Sequence, residues 1–169
     1  TEGKGKAANV RNIYALAYGN GAVFAGGSSC YRINRIQPDG TVKFFSGSGS
    51  YSSTPYTYDG PKTSARYGTI YGLDMDSAGF LWVADYSQKS IRRVAPDGSV
   101  QTIAGSSSSS LWTKDVDGTG KQAGFYYPYD LAVGASGDIF AVTHYGHRIR
   151  KITAGGQVTT VAGGKSGLG

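Results

Sequence analysis

The chain alternates short apolar runs with turn residues, and it does so on a fixed period. Gly40, Gly98 and Gly156 each precede a short apolar segment, and each lies 58 residues from the next. Short apolar or alternating runs bounded by Gly, Asp and Ser are typical of β-strands joined by tight turns. Because a fixed period of this size indicates a repeat protein, the pattern predicts three copies of one β-rich unit.

Each unit contains four predicted strands, which we label a to d in chain order. In the first unit they cover residues 13–18, 22–26, 31–37 and 41–46. In the second they cover 70–75, 80–84, 90–95 and 99–104, and in the third 129–134, 138–143, 148–153 and 157–162. Short turns join the strands within a unit, so each unit is predicted to form a four-stranded antiparallel meander.

Radial repetition of four-stranded meanders is the architecture of a β-propeller, which leaves only short sheet edges unpaired. The predicted fold class is therefore all-β, a β-propeller with three four-stranded blades in one repeat domain over residues 1–169. The predicted blades cover about 9–46, 67–104 and 125–162. Long loops, 47–69 and 105–128, connect strand d of one blade to strand a of the next.

The third unit resembles the NHL repeat over residues 117–164. The residues that carry the resemblance are Asp117, Gly118, Ala123, Phe125, Pro128, Gly137, the segment His147-Arg148-Ile149 and the segment 158–163. The resemblance extends over essentially the whole chain and implies an NHL-type propeller. Departures include Gly146 where the family has Asn, and Ile70 where it has Pro. NHL propellers include RNA-binding domains, an amidating lyase, kinase sensor domains and extracellular modules, so the resemblance is specific for fold and not for function.

Three blades are fewer than the four to eight of closed propellers. Glu2-Gly3 resembles Asp117-Gly118, so both ends of the chain fall in equivalent loops. We therefore expect half of a six-bladed ring, closed by a second copy in a homodimer or by another propeller segment. The alternative is that these residues belong to one larger propeller.

Charge and composition narrow the function classes only slightly. The chain has 17 Lys and Arg against 11 Asp and Glu, a formal net charge of +6, and its basic residues are dispersed. This balance permits a polyanionic partner without requiring one. The single cysteine, Cys30, excludes an intramolecular disulfide. No apolar run approaches the roughly 18–20 residues of a membrane span, and an extracellular or cell-surface location is weakly favoured.

The long loops and the b-to-c turns hold the predicted ligand-binding residues. These candidates are Tyr51, Tyr56, Arg66, Tyr86, Trp112, Lys121, Tyr126, His144, Tyr145 and His147. Aromatic rings with hydrogen-bonding rims suit sugars or a protein surface, and they also suit stacked bases. By contrast, Tyr67, Phe125 and Trp82 are predicted to lie in the core, and Tyr71 and Tyr129 are interpreted as structural residues at the start of strand a.

No catalytic constellation, cofactor motif or metal site is predicted. The nearest approaches to a metal site are Asp115 and Asp117, which have a spacing seen in calcium loops, and His144 with His147 in one turn. We therefore predict a non-enzymatic binding or assembly module that recognises a glycan or a protein. The alternatives are RNA binding through a basic propeller face and, third, a lyase-like or hydrolase-like propeller enzyme.

Overall fold

The structure, a computed structural model, describes residues 2–8, 10–28, 31–49, 58–106 and 109–164. Strands dominate these residues. The helical segments found there are three short 3₁₀ turns, Gly5–Ala7, Ser109–Leu111 and Gly120–Gln122. No helix within the described ranges has the length and apolar character needed to cross a membrane. The all-β prediction is confirmed.

The strands form three antiparallel sheets in chain order. The first sheet contains β1 (Gly3–Lys4), β2 (Ile13–Gly19), β3 (Ala22–Gly27), β4 (Ile33–Ile36) and β5 (Thr41–Ser46). The second contains β6 (Ile70–Met75), β7 (Leu81–Asp85), β8 (Ser90–Val94) and β9 (Val100–Gly105). The third contains β10 (Gly118–Thr119), β11 (Pro128–Val133), β12 (Ile139–Thr143), β13 (Arg148–Ile152) and β14 (Gln157–Gly163). The twelve predicted strands all form, and their ends lie within two residues of the predicted ones.

Two short strands, β1 and β10, were not predicted. Each pairs with strand d of its sheet, so that Gly3 lies opposite Val42 and Gly118 lies opposite Val158. In the second sheet the equivalent contact is the isolated bridge between Gly60 and Val100. In each sheet, a glycine that follows an acidic residue thus adds an outer edge to strand d.

The sheets pack face to face in chain order, and the strands in position a, which are β2, β6 and β11, are neighbours. One apolar cluster lies between the first and second sheets, and a second lies between the second and third sheets. Tyr67 and Phe125 are fully buried in these clusters, and Trp82 is almost so, which confirms the core assignment of all three.

A buried arginine ties a long loop to the third sheet. The guanidinium of Arg150 is fully buried, and its Nη1 donates to Asp115 Oδ1 and to the Gly124 carbonyl, both at 2.9 Å. Its Nη2 donates to the Val116 carbonyl at 3.0 Å and to Asp117 Oδ1 at 2.9 Å. Because five N–H donors lie in one planar fork, arginine can hold several acceptors of a loop at once. This contact fixes the loop that carries the candidate residues around position 126.

The second sheet repeats this arrangement, whereas the first does not. Arg92 is fully buried and pairs with Asp59 at 3.0 Å and with Asp85 at 3.4 Å. Burial raises the pKa of Asp85, and Arg92 together with two backbone N–H groups opposes that shift. The equivalent position in the first sheet is Asn34, which is also buried. The loop-anchoring arginine is therefore a property of two of the three sheets.

Candidate functional site

Strand a carries a tyrosine at the same point in all three sheets, and each tyrosine sits at a break in strand register. The pairing of β2 with β3 skips Tyr14, that of β6 with β7 skips Tyr71, and that of β11 with β12 skips Tyr129. A β-bulge inserts an unpaired residue, bends the strand and re-aims its side chain. The three tyrosines therefore leave the regular pleat in the same way.

The three bulge tyrosines stack into a column that crosses all three sheets. The ring centroids of Tyr14 and Tyr71 are 5.0 Å apart with an interplanar angle of 11°. Those of Tyr71 and Tyr129 are 4.7 Å apart at 19°. These separations lie within the range preferred by stacked aromatic pairs. We call this feature the tyrosine column.

Further rings extend the column across the third sheet. Tyr86, from the turn between β7 and β8, lies 4.8 Å from Tyr71 and 4.6 Å from Tyr127. His144 stacks on Tyr145 at 4.6 Å and meets the edge of Tyr129 at 5.3 Å. Together these residues form what we call the aromatic surface, which consists of the column plus Tyr86, Tyr126, Tyr127, His144 and Tyr145. Tyr14, Tyr129, His144 and Tyr145 are exposed within it.

A lysine lies behind these rings. The Lys89 Nζ is 4.2 Å from the centroid of Tyr127, 4.6 Å from that of Trp112 and 5.9 Å from that of Tyr126. It also donates to the Trp112 carbonyl at 2.7 Å. Lys89 is only 6% exposed, and burial lowers its pKa below the usual value. Its ammonium is thus used internally, through cation–π contacts that hold the loop rings in place.

Crowding of the phenols changes their acidity. Burial, together with the neighbouring Tyr145, Tyr127 and Tyr71, raises the pKa of Tyr86 to about 12. Burial also raises the pKa of Tyr71, and Tyr14 and Tyr129 add to the effect. Tyrosine hydroxyls are ordinarily protonated at neutral pH, and these shifts extend the protonated range of both to higher pH. Both hydroxyls can donate as well as accept hydrogen bonds.

The structure brings about half of the predicted ligand residues together. Tyr86, Tyr126, His144 and Tyr145 belong to the aromatic surface, and Trp112 contacts it through Lys89. Arg66 instead lies over the ring of Tyr58, at 4.8 Å from its centroid. Lys121 is exposed in the 3₁₀ turn Gly120–Gln122. Tyr51, Tyr56 and Cys30 lie outside the described residues.

The acidic candidates are engaged by cations and by the backbone. The side chain of Asp115 is buried, and its two oxygens accept from Arg150, from the Tyr126 amide at 2.8 Å and from the Thr143 hydroxyl at 2.7 Å. Asp117 bonds Arg150 and the Thr160 hydroxyl. Burial opposes but does not cancel the effect of Thr160 and Arg150, which keep the pKa of Asp117 low. The described ranges contain no group of three or more His, Cys, Asp or Glu residues that could hold a metal ion.

The two histidines lie at the edge of the aromatic surface. His147 is exposed, adopts a left-handed backbone conformation (φ 50°) and, together with His144 and Arg148, lines a shallow groove against β14. Arg148 pairs with Asp115 at 3.6 Å. Of the two rings, His144 belongs to the stack, and His147 flanks it.

Sequence reasoning assigned Tyr71 and Tyr129 to structure and did not single out Tyr14. All three contact one another, and Tyr14 and Tyr129 are exposed. The signal was present in the sequence, because tyrosine occupies the same strand-a position in every repeat. The three repeats differ at most positions, so a tyrosine kept at one strand-a position in all of them indicates a surface that the repeats share. This pattern could have identified the tyrosine column.

Comparison with known proteins gives structural matches without sequence matches. No family model and no curated protein matches the chain. A protein of unknown function from Bacteroides thetaiotaomicron matches with a TM-score of 0.66 and 26% identity, over 77% of this chain and 32% of that one.

Two further structures match at lower identity. An auxiliary nutrient binding protein from Bacteroides thetaiotaomicron matches with a TM-score of 0.66 and 16% identity, over 86% of this chain and 36% of that one. A catalytically inactive virginiamycin B lyase from Staphylococcus aureus, solved with quinupristin, matches with a TM-score of 0.58 and 18% identity, over 90% of this chain and 43% of that one. The chain thus has a propeller-like fold and spans between about a third and two fifths of these structures.

Proposed function

We propose that the three sheets are blades of an NHL-type propeller and that the chain is a non-enzymatic binding module. Its ligand is a glycan held on the aromatic surface. The observation that carries this proposal is the tyrosine column, which presents stacked and partly exposed rings from three separate strands. Contiguous apolar patches exposed on a protein surface commonly mark binding sites. The tyrosine column is such a patch, because every repeat contributes a ring to it and the rings are partly open to solvent.

The chemistry of the aromatic surface favours a sugar. Tyrosine offers a flat apolar ring with a hydroxyl at its edge, which matches the apolar faces and hydroxyl groups of a pyranose. Protonated phenols, such as that of Tyr86, both donate and accept hydrogen bonds. The stacking also lowers the entropic cost of binding, since the rings hold one another in place before a ligand arrives.

The position of Lys89 favours a glycan over RNA. Nucleic-acid affinity depends on cations that neutralise phosphates. The lysine that contacts these rings is buried beneath them and bonds the Trp112 carbonyl, so it is not available to a phosphate. RNA binding stays the alternative, because aromatic rings also stack on bases. The binding of a protein ligand would use the same exposed tyrosines.

A binding titration of the full chain tests this proposal. We expect a hit on a glycan array, confirmed by calorimetry, that weakens about tenfold or more in Tyr129→Ala, as expected for an aromatic anchor. Tyr58→Ala is the matched control, because the Tyr58 ring contacts Arg66 and is also exposed. Its affinity should match that of the parent chain.

Two results would overturn this assignment. Equal affinity in Tyr129→Ala and the parent chain would place the ligand elsewhere. Binding of a single-stranded RNA oligonucleotide that weakens steeply with salt, with no glycan bound, would support the alternative instead.

A further inference from the structure

On the first sheet, the strand-a part of one face is uncovered, whereas the second and third sheets bury the equivalent part. Leu16, Leu73 and Leu131 occupy the same position on β2, β6 and β11. Leu73 is 5% exposed and Leu131 is 7% exposed, since each packs on the preceding sheet. Leu16 is 63% exposed. We call the side of each sheet that carries this leucine its back face.

The third sheet leaves the opposite face uncovered. In the second sheet, Trp82, Ile91 and Ile103 belong to the cluster that packs on the third sheet, and we call this side the front face. The corresponding front-face residues of the third sheet are Phe140, Ile149 and Val161, and all three are exposed. Ile91 is fully buried, whereas its counterpart Ile149 is 42% exposed. The described residues therefore present two apolar faces of opposite kind, one on the first sheet and one on the third.

The same kind of interface, a front face packed on a back face, already occurs twice within the chain. A front face meets a back face between the first and second sheets, and again between the second and third. The exposed front face of the third sheet matches in residue type the buried front face of the second. On the back faces, all three sheets carry the same leucine. Each uncovered face is therefore complementary to another sheet of this repeat, and a second copy of this chain carries both of the faces required.

We propose that two copies join head to tail, with the third sheet of each on the first sheet of the other. The two junctions are related by a two-fold axis, and together they close a ring of six sheets. Six lies within the four to eight blades of closed propellers. A heterologous contact that closes in this way forms a ring, whereas one that fails to close forms filaments.

Closure would also complete the tyrosine column. In one chain, Tyr71 lies beside Tyr14 and Tyr129 lies beside Tyr71. At the new junction, Tyr129 would lie beside the partner's Tyr14, so six tyrosines would surround the axis. The ligand-binding role of this ring rests on the proposed function, whereas the closure itself does not.

The solution mass of the full chain, measured by sedimentation at several concentrations, tests closure without any ligand. We expect the parent chain to sediment as a dimer. Leu16→Glu and Ile149→Glu each place a charge in both junctions and should give monomers. Both residues are exposed in a single chain, so neither change should prevent folding. Ser77→Glu adds the same charge in an exposed turn and should leave the dimer intact.

Mixing the two variants tests the direction of the contact. A head-to-tail pair of one Leu16→Glu chain and one Ile149→Glu chain contains one unaltered junction. We therefore expect the mixture to associate more tightly than either variant alone. If the parent dimer instead paired front face with front face, Leu16→Glu alone would leave the dimer unchanged.

The outcomes separate closure from ligand binding. A parent chain that stays monomeric at all concentrations, or one that forms polymers of increasing size, overturns the closed dimer. A dimer that binds no glycan supports closure and contradicts the proposed function. If both hold, Ile149→Glu should also weaken glycan binding, since it removes the partner's Tyr14 from the ring.

Discussion

The buried arginines set the loop geometry at the residue scale. Arg150 meets two carboxylates and two carbonyls of the segment 115–124. It also lies over the ring of Phe125, at 5.2 Å from the ring centroid. Tyr126 and Tyr127 follow directly in the chain, and the amide of Tyr126 bonds the same Asp115. The aromatic surface therefore depends on a cation that does not touch it.

Arg150→Lys should be strongly destabilising. A lysine ammonium has three donors on a flexible stem and cannot reproduce the planar fork. It would leave buried acceptors unpaired, and we expect the free energy of unfolding in urea to fall by about 2 kcal/mol or more. Arg93→Lys is the control, since Arg93 is only partly buried and bonds Gln101 at 3.2 Å. A loss in the control equal to that of Arg150→Lys would contradict this account.

The pKa of Tyr86 gives a second prediction for a single residue. Because this pKa is raised from 10.0 to about 12, the folded state holds its proton more tightly than the unfolded state does. The stabilisation is therefore complete below pH 10 and is lost as the pH rises from about 10 to about 12. Over that range the unfolding free energy of the parent chain should fall more steeply than that of Tyr86→Phe. Parallel slopes would show that the phenol is not held in this way.

The sequence predicted which aromatic residues lie in the core, but it did not predict the role of the bulge tyrosines. Tyr67, Phe125 and Trp82 were placed in the core correctly, because each aligns with apolar residues in the other repeats. Tyr71 and Tyr129 were interpreted as structural residues of strand a, because period-two alternation does not reveal a bulge. The break in register after Ile70 or Pro128 depends on pairing with the next strand, and that pairing is not encoded within one strand.

At the scale of elements, the predicted strands form because the local pattern and the turns agree. Each is bounded by Gly, Asp or Ser and carries the short apolar runs typical of strands. β1 and β10 were missed because two residues cannot show a period. Their pairing depends on long-range contacts, such as the bond from the Phe44 amide to Glu2 and from the Thr160 hydroxyl to Asp117. The acidic residue before glycine thus attaches its segment to strand d of the same sheet.

At the scale of the whole molecule, sequential packing gives each sheet a different environment at equivalent positions. The second sheet is covered on both faces, and every residue of β7 is buried. The equivalent strand β12 alternates between buried and exposed residues, because no sheet follows it in the described chain. The same amino acid should therefore contribute differently to stability in each repeat.

Alanine substitutions of the three equivalent leucines test this difference in the free energy of unfolding. Leu73→Ala and Leu131→Ala should each lower the free energy of unfolding by about 2–5 kcal/mol, the usual cost of truncating a buried leucine. Leu16→Ala should cost about 0.5 kcal/mol or less in dilute solution, where the residue is exposed. If a second copy covers Leu16, that cost should increase at protein concentrations where the dimer forms, because association stabilises only the folded chain. Urea titrations at two concentrations would reveal this, and a cost for Leu16→Ala that is independent of concentration would mean that Leu16 stays uncovered.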